Sequence, residues 1–119
     1  MRLFVDVPNV FLHRDPVDFR KAINGLMGLV EHAMGLSPYD AALYVFVNRS
    51  RDRLKILYWD ETGFCLWQKR LEAAKFAWPK HGEVVISWRE EQLQWLLRGF
   101  DVSKIVPHQR LNYGAPARV

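Results

Sequence analysis

The chain alternates between two hydrophobic periods. Phe19, Ile23, Leu26, Met27, Val30, Ala33 and Met34 recur three and four apart, which predicts a helix with one apolar face. Asp15 fits its N-cap, Pro16 its first turn, and Gly35 its C-terminal stop. Gly25 and Gly28 weaken the interior of that helix and would let another backbone approach. Residues 41–48 form an unbroken β-rich apolar run, the pattern of a strand buried on both faces. From 53 to 59 the period is two: Arg53, Lys55, Leu57 and Trp59 on one side, Leu54, Ile56 and Tyr58 on the other. Asp60-Glu61-Thr62-Gly63 is a reverse-turn signal, and residues 64–71 return as an antiparallel strand. A four-residue loop there sets Trp59 opposite Phe64 and Arg53 opposite Arg70.

The flanks are shorter. Residues 3–12 read as a strand broken at Val7-Pro8-Asn9 and resumed at Val10-Phe11-Leu12. Residues 72–82 lack a period, and 84–87 read as a short strand. Ser87 and Glu90 have capping-box spacing at the head of a second helix, whose apolar side is Leu93, Leu96, Leu97 and Phe100. These elements predict an α+β fold: a single small domain over residues 1–102, with a mainly antiparallel sheet of four or five strands and both helices packed on one face. Residues 103–119 are expected to form a C-terminal tail.

Charge changes this picture locally. The net charge of +4 is mildly basic, which permits an acidic or nucleic-acid partner without requiring one. Residues 49–80 hold eight basic side chains (Arg49, Arg51, Arg53, Lys55, Lys69, Arg70, Lys75, Lys80) against four acids (Asp52, Asp60, Glu61, Glu72), a surplus of four. The other nine basic and nine acidic residues cancel, so the entire excess lies in one stretch. Cys65 is alone, which excludes an internal disulfide framework. The N-terminal residues do not read as a signal peptide, and the longest apolar run is far too short for a membrane span. A soluble cytoplasmic protein with no membrane partner is expected.

Little points to catalysis. His13, His32, His81 and His108 lack local metal-ligand spacing. Asp15 and Asp18 have helix-capping roles, Asp60 sits in a turn, and Asp52 lies between two arginines. A metal nuclease would need acids such as Asp52 and Asp60 to converge on one ion. Cys65, mid-strand, reads as a buried thiol. We therefore expect no enzyme activity, no catalytic residue, no metal and no cofactor. The stronger signal is basic residues interleaved with rings, because cations meet phosphates and rings stack unpaired bases. Arg49, Arg51, Arg53, Lys55, Trp59, Lys69 and Arg70 are the candidate DNA-binding residues. The competing reading is a solvated hairpin whose rings are simply core.

Several blocks together resemble a known family: Asp15-Pro16-Val17-Asp18-Phe19-Arg20-Lys21, the run Arg51-Asp52-Arg53-Leu54-Lys55-Ile56-Leu57-Tyr58-Trp59-Asp60, then Lys69-Arg70-Leu71-Glu72, Trp78-Pro79 and Gln92-Leu93-Gln94-Trp95-Leu96-Leu97-Arg98-Gly99-Phe100-Asp101. Over about residues 10–102 the chain resembles the second-open-reading-frame accessory protein of the bacterial insertion-sequence family numbered sixty-six. That protein is often called the family's transposon protein B and is distinct from the RNA-guided nuclease sharing the label. Phe19 and Ala22 depart from its usual Met and Gly. The resemblance implies a non-catalytic accessory role in transposition beside an element-encoded transposase that performs the strand chemistry, and it carries over no site residues. Two roles follow as expectations: contact with insertion-sequence end DNA through the basic hairpin, or an adaptor for the transposase without direct DNA binding.

Overall fold

The computed structural model describes Phe4 and residues 9–104. Strand β1 (Val10–His13) is followed by helix α1 (Ile23–Gly28), which continues as a π-helical turn over Leu29–Ala33. Strands β2 (Leu43–Val47), β3 (Arg53–Asp60), β4 (Gly63–Arg70) and β5 (Val85–Trp88) come next. Helix α2 (Glu90–Leu97) and a single 3-10 turn at Val102–Lys104 close the described chain. The sheet order is β4-β3-β2-β1-β5. Only β1 and β2 run parallel, because α1 crosses between them; the other three pairings are antiparallel. The fold is thus the expected α+β domain with a five-stranded, mainly antiparallel sheet.

The hairpin register matches the sequence reading. Arg53 pairs with Arg70 and Trp59 with Phe64, and the ladder runs one step further, to Asp60–Gly63. Glu61 and Thr62 make the turn, Glu61 with φ 51°.

The helices do not share a face. Leu93, Leu96 and Leu97 of α2 pack with Val10, Leu12, Leu43, Val45, Val47, Leu54 and Ile56. Leu26, Val30 and Met34 pack with the alternate strand residues Tyr44, Phe46 and Leu57 on the opposite side. The expectation of one covered face is corrected for a physical reason: all five residues of β2 are buried, so a single helical layer would leave an apolar face in water. Neither glycine of α1 admits another backbone. A Cβ on Gly25 would come nearest to the Lys21 side chain, and one on Gly28 would have nothing within 4 Å.

Both helix starts are later than predicted. Asp18 accepts the Arg20 amide (2.9 Å) in a local turn, and Val17 donates to the Val47 carbonyl (2.9 Å), so residues 14–22 run over the sheet and the helix begins at Ile23. Ser87 is absorbed into β5 opposite Phe11, and the Arg89 amide instead donates to Gln92 Oε1 (2.8 Å) at the start of α2. The predicted first strand segment and the tail fall largely on residues outside the described ones. No helix of the described residues is long and apolar enough to cross a membrane.

Candidate nucleic-acid interface

The site is built on the tight loop 48–52, which joins β2 to β3. Asn48 organises it: its Oδ1 accepts the Asp52 and Arg53 amides (3.1 and 3.0 Å), its Nδ2 donates to Asp52 Oδ1 (2.7 Å), and its carbonyl accepts the Arg51 amide (3.0 Å). The Asn48 bond holds the Asp52 carboxyl below its ordinary range. Asp52 is therefore occupied inside the loop. Asp60 lies at the other end of β3, seven residues on from Arg53, roughly 23 Å at 3.3 Å per residue. The two acids do not converge on one ion.

The seven candidate residues separate into three groups. Arg49, Arg53 and Arg70 gather at the loop end of the sheet. Arg49 is exposed, Arg53 is half-buried, and Arg70 is exposed across the ladder from Arg53 and paired with Glu72 (2.9 Å). A cleft of about 510 Å³ lies beside them, lined by Arg49, Ser50 and Arg53 and walled by Val17 and Phe19. Arg20 also lines it, held by Asp18, whose carboxyl that bond keeps well below the ordinary range. Arg51 belongs to the opposite side of the same loop, where it lines a second cleft under α2.

The second group is internal, which corrects the open face expected for Lys55. That residue does alternate with Arg53, but it is 7% exposed. Its ammonium donates to the carbonyls of Phe19 and Lys21 (2.9 Å each) and lies 4.7 Å from the centre of the Phe19 ring. Burial, then neighbouring Arg53, pulls its pKa below the ordinary lysine value. Lys69 points to the other face and donates to the Leu97 carbonyl (2.8 Å), tying β4 to the end of α2. Both cations work inside the fold.

Trp59 forms the third group, at the far end of β3. Its ring meets those of Tyr39 and Phe64 at centroid distances of 5.1 and 5.0 Å. Tyr39 is 55% exposed. This end carries the exposed acids Asp40, Asp60 and Glu61. The two ends of the sheet thus differ: the arginines gather at the loop end together with Asp18, Asp52 and Glu72, and the rings lie with exposed acids at the hairpin turn.

Sequence reasoning missed Lys75, Lys80, His81 and Trp88 as neighbours of this loop. The connection 72–82 is tied to it by Phe76, which donates to the Arg51 carbonyl (2.7 Å), just after Leu71 donates to that of Asp52 (2.8 Å); the Trp78 indole anchors the connection to the Arg14 carbonyl after β1 (2.7 Å). The available hint was the count of Lys75 and Lys80 within the basic stretch. Cys65, expected to be buried, is a half-buried free thiol.

The family described as "IS66 Orf2 like protein" matches residues 8–107, which include the loop, the hairpin and both clefts. The uncharacterized protein y4jC of Sinorhizobium fredii is 34% identical over 96 residues, 81% of this chain and 82% of its own length. The uncharacterized protein y4hO of the same organism is 35% identical over 92 residues, 77% of this chain and 80% of its own. No solved structure matches the chain. The block resemblance and the family match agree over most of the chain, and the protein belongs to the IS66 Orf2-like family.

Proposed function

We propose that the protein is a non-catalytic accessory factor of insertion-sequence transposition that lays the loop end of its sheet on the DNA backbone. The observation that carries this reading is the convergence of Arg49, Arg53 and Arg70 at the loop end of the sheet, where the arginines, Arg20 and Arg51 included, outnumber Asp18, Asp52 and Glu72, while Asp40, Asp60 and Glu61 lie at the other end. Arg53 and Arg70 face each other directly, an arrangement that a phosphate between or beside them relieves. Such a local surplus would bring this end of the molecule to DNA foremost. Lys55 and Lys69 are not among the contacts, since carbonyls already hold them.

The test is duplex binding measured across a salt series. An Arg49/Arg53/Arg70 charge-removal variant is expected to reduce the slope of log affinity against log salt by about 2 to 3, at roughly 0.9 per lost phosphate contact. An unchanged slope in a folded variant overturns the reading.

A second reading, an adaptor for the element's transposase, is favoured by the exposed Tyr39 ring in contact with Trp59 and Phe64. Co-purification with the transposase after nuclease treatment, lost on Tyr39→Ala, would support it. Duplex binding by the isolated protein with the salt slope above would decide against it.

A further inference from the structure

The second cleft, of about 690 Å³, lies between loop 48–52, the connection 72–82 and α2. Its volume is within the range of roughly 300–1,000 Å³ that encloses small ligands. Its lining combines the basic Arg51, Lys75, Lys80 and His81 with two rings, the half-buried Trp88 and the core residue Trp78, which is 4% exposed. Arg51 is the unusual member. Its Nε is buried and finds no hydrogen-bond acceptor among the described residues. Its backbone is left-handed at φ 61°, an uncommon conformation for arginine, fixed by the Asn48 carbonyl behind it and the Phe76 amide ahead. The fold thus spends an unfavoured backbone conformation on a residue that leaves a buried donor unmet.

No carboxylate of the described residues forms an ion pair with Arg51, Lys75 or Lys80. Asp101 also lines the cleft, but its Oδ1 is engaged by the Ser103 amide (3.0 Å) and hydroxyl (2.6 Å), which hold its carboxyl below the ordinary range. The cleft therefore offers an anion site on the loop side. Trp88 and Asp101 line it as well, adding an indole ring and the second carboxylate oxygen of Asp101 as an acceptor. That combination fits a nucleotide better than a bare phosphate, because a phosphate uses only the cations, while a base uses the ring and the acceptor.

We propose that this cleft receives one unpaired nucleotide of the DNA strand that the loop end holds, its phosphate on Arg51 with Lys75 and Lys80 and its base against Trp88. The inference rests on the DNA reading above and deepens it. Arg49 and Arg53 flank the loop on one face of the sheet and Arg51 on the other, so a backbone crossing the loop reaches both.

The experiment compares a short oligothymidylate with a fully paired duplex, using the full-length protein. Arg51→Met and Trp88→Leu are each expected to weaken oligothymidylate binding about tenfold or more, with duplex affinity changed by less than about threefold. Because Trp88→Leu could disturb folding, the indole N–H resonance of Trp88 in the wild type is followed as well, and it is expected to shift on adding oligothymidylate. A resonance that does not move, or variants that lose both ligands equally, overturns the proposal. So does inorganic phosphate producing the same shift at equal occupancy, which would mark an anion site without a base. If the duplex binds through Arg49, Arg53 and Arg70 while Arg51→Met and Trp88→Leu leave oligothymidylate untouched, this inference fails alone. If the wild type binds neither nucleic acid, both fail.

Discussion

Lys55→Met separates a structural cation from a binding one. The substitution keeps the aliphatic stem, and with it most of the packing among Phe46, Leu57 and the Phe19 ring, while removing the ammonium. Two 2.9 Å bonds disappear, leaving the Phe19 and Lys21 carbonyls short of a donor. Bonds from a charged donor contribute about 1.5–3 kcal/mol each, which sets a gross loss of about 3–6 kcal/mol. Part of that returns, because the buried ammonium is itself disfavoured: burial and Arg53 both lower its pKa. We expect a net destabilisation of about 2–3 kcal/mol. For a domain of this size that is a fall in melting temperature of about 8–12 °C, at about 4 °C per kcal/mol. Urea unfolding should show a lower midpoint at an unchanged m-value. The DNA affinity of the folded variant and its salt slope should match the wild type. A variant as stable as the wild type that loses close to one unit of salt slope would show the ammonium on the ligand, and would refute the structural role.

Two further substitutions test other joints of the fold. Gly99 has φ 91° and closes α2 by donating to the Leu96 carbonyl (3.0 Å), while Phe100 donates to that of Trp95 (3.0 Å). Gly99→Ala should cost about 1 kcal/mol by urea titration, and no loss would mean that the helix end re-forms without the left-handed residue. Tyr44 is fully buried, and its hydroxyl donates to the Ser37 carbonyl (2.6 Å). Burial, reinforced by Asp40, pushes its pKa from 10.0 up to about 12. A raised folded-state pKa means that stability is fully present below pH 10 and is lost as pH rises toward 12. Wild type should therefore exceed Tyr44→Phe by about 1 kcal/mol at neutral pH, with the gap closing between pH 10 and 12. A gap constant across that window would place the loss elsewhere.

The hairpin was legible because its evidence is local. Alternation over 53–59 and a turn signal at 60–63 determine which residues oppose one another, and the Arg53–Arg70 and Trp59–Phe64 pairs follow. Alternation also put Arg53 and Lys55 on one face correctly. It cannot say what lies over that face. The covering segment, 14–22, carries a helix-start signature at Asp15-Pro16, yet the Asp18–Arg20 turn and the Val17 bond to Val47 hold it extended above Lys55. The placement of α1 and α2 on opposite faces was implicit in the unbroken apolar run of β2, since a strand buried on both sides needs a layer on each.

The basic surplus illustrates the same limit in energetic terms. Counting along the chain treats eight cations as one patch, whereas folding assigns each by the cheapest available acceptor. Lys55 and Lys69 have long, flexible stems and reach carbonyls of the segment before α1 and at the end of α2, so their charge is satisfied within the fold. The loop arginines make no such carbonyl bond among the described residues, and Asp52 Oδ1 is itself held by Asn48. They line clefts on both sides of one turn, Arg49 and Arg53 one cleft and Arg51 the other. On the proposed reading a ligand-binding cation is one that the fold leaves without an internal acceptor, and the buried Nε of Arg51, which has none among the described residues, fits that criterion.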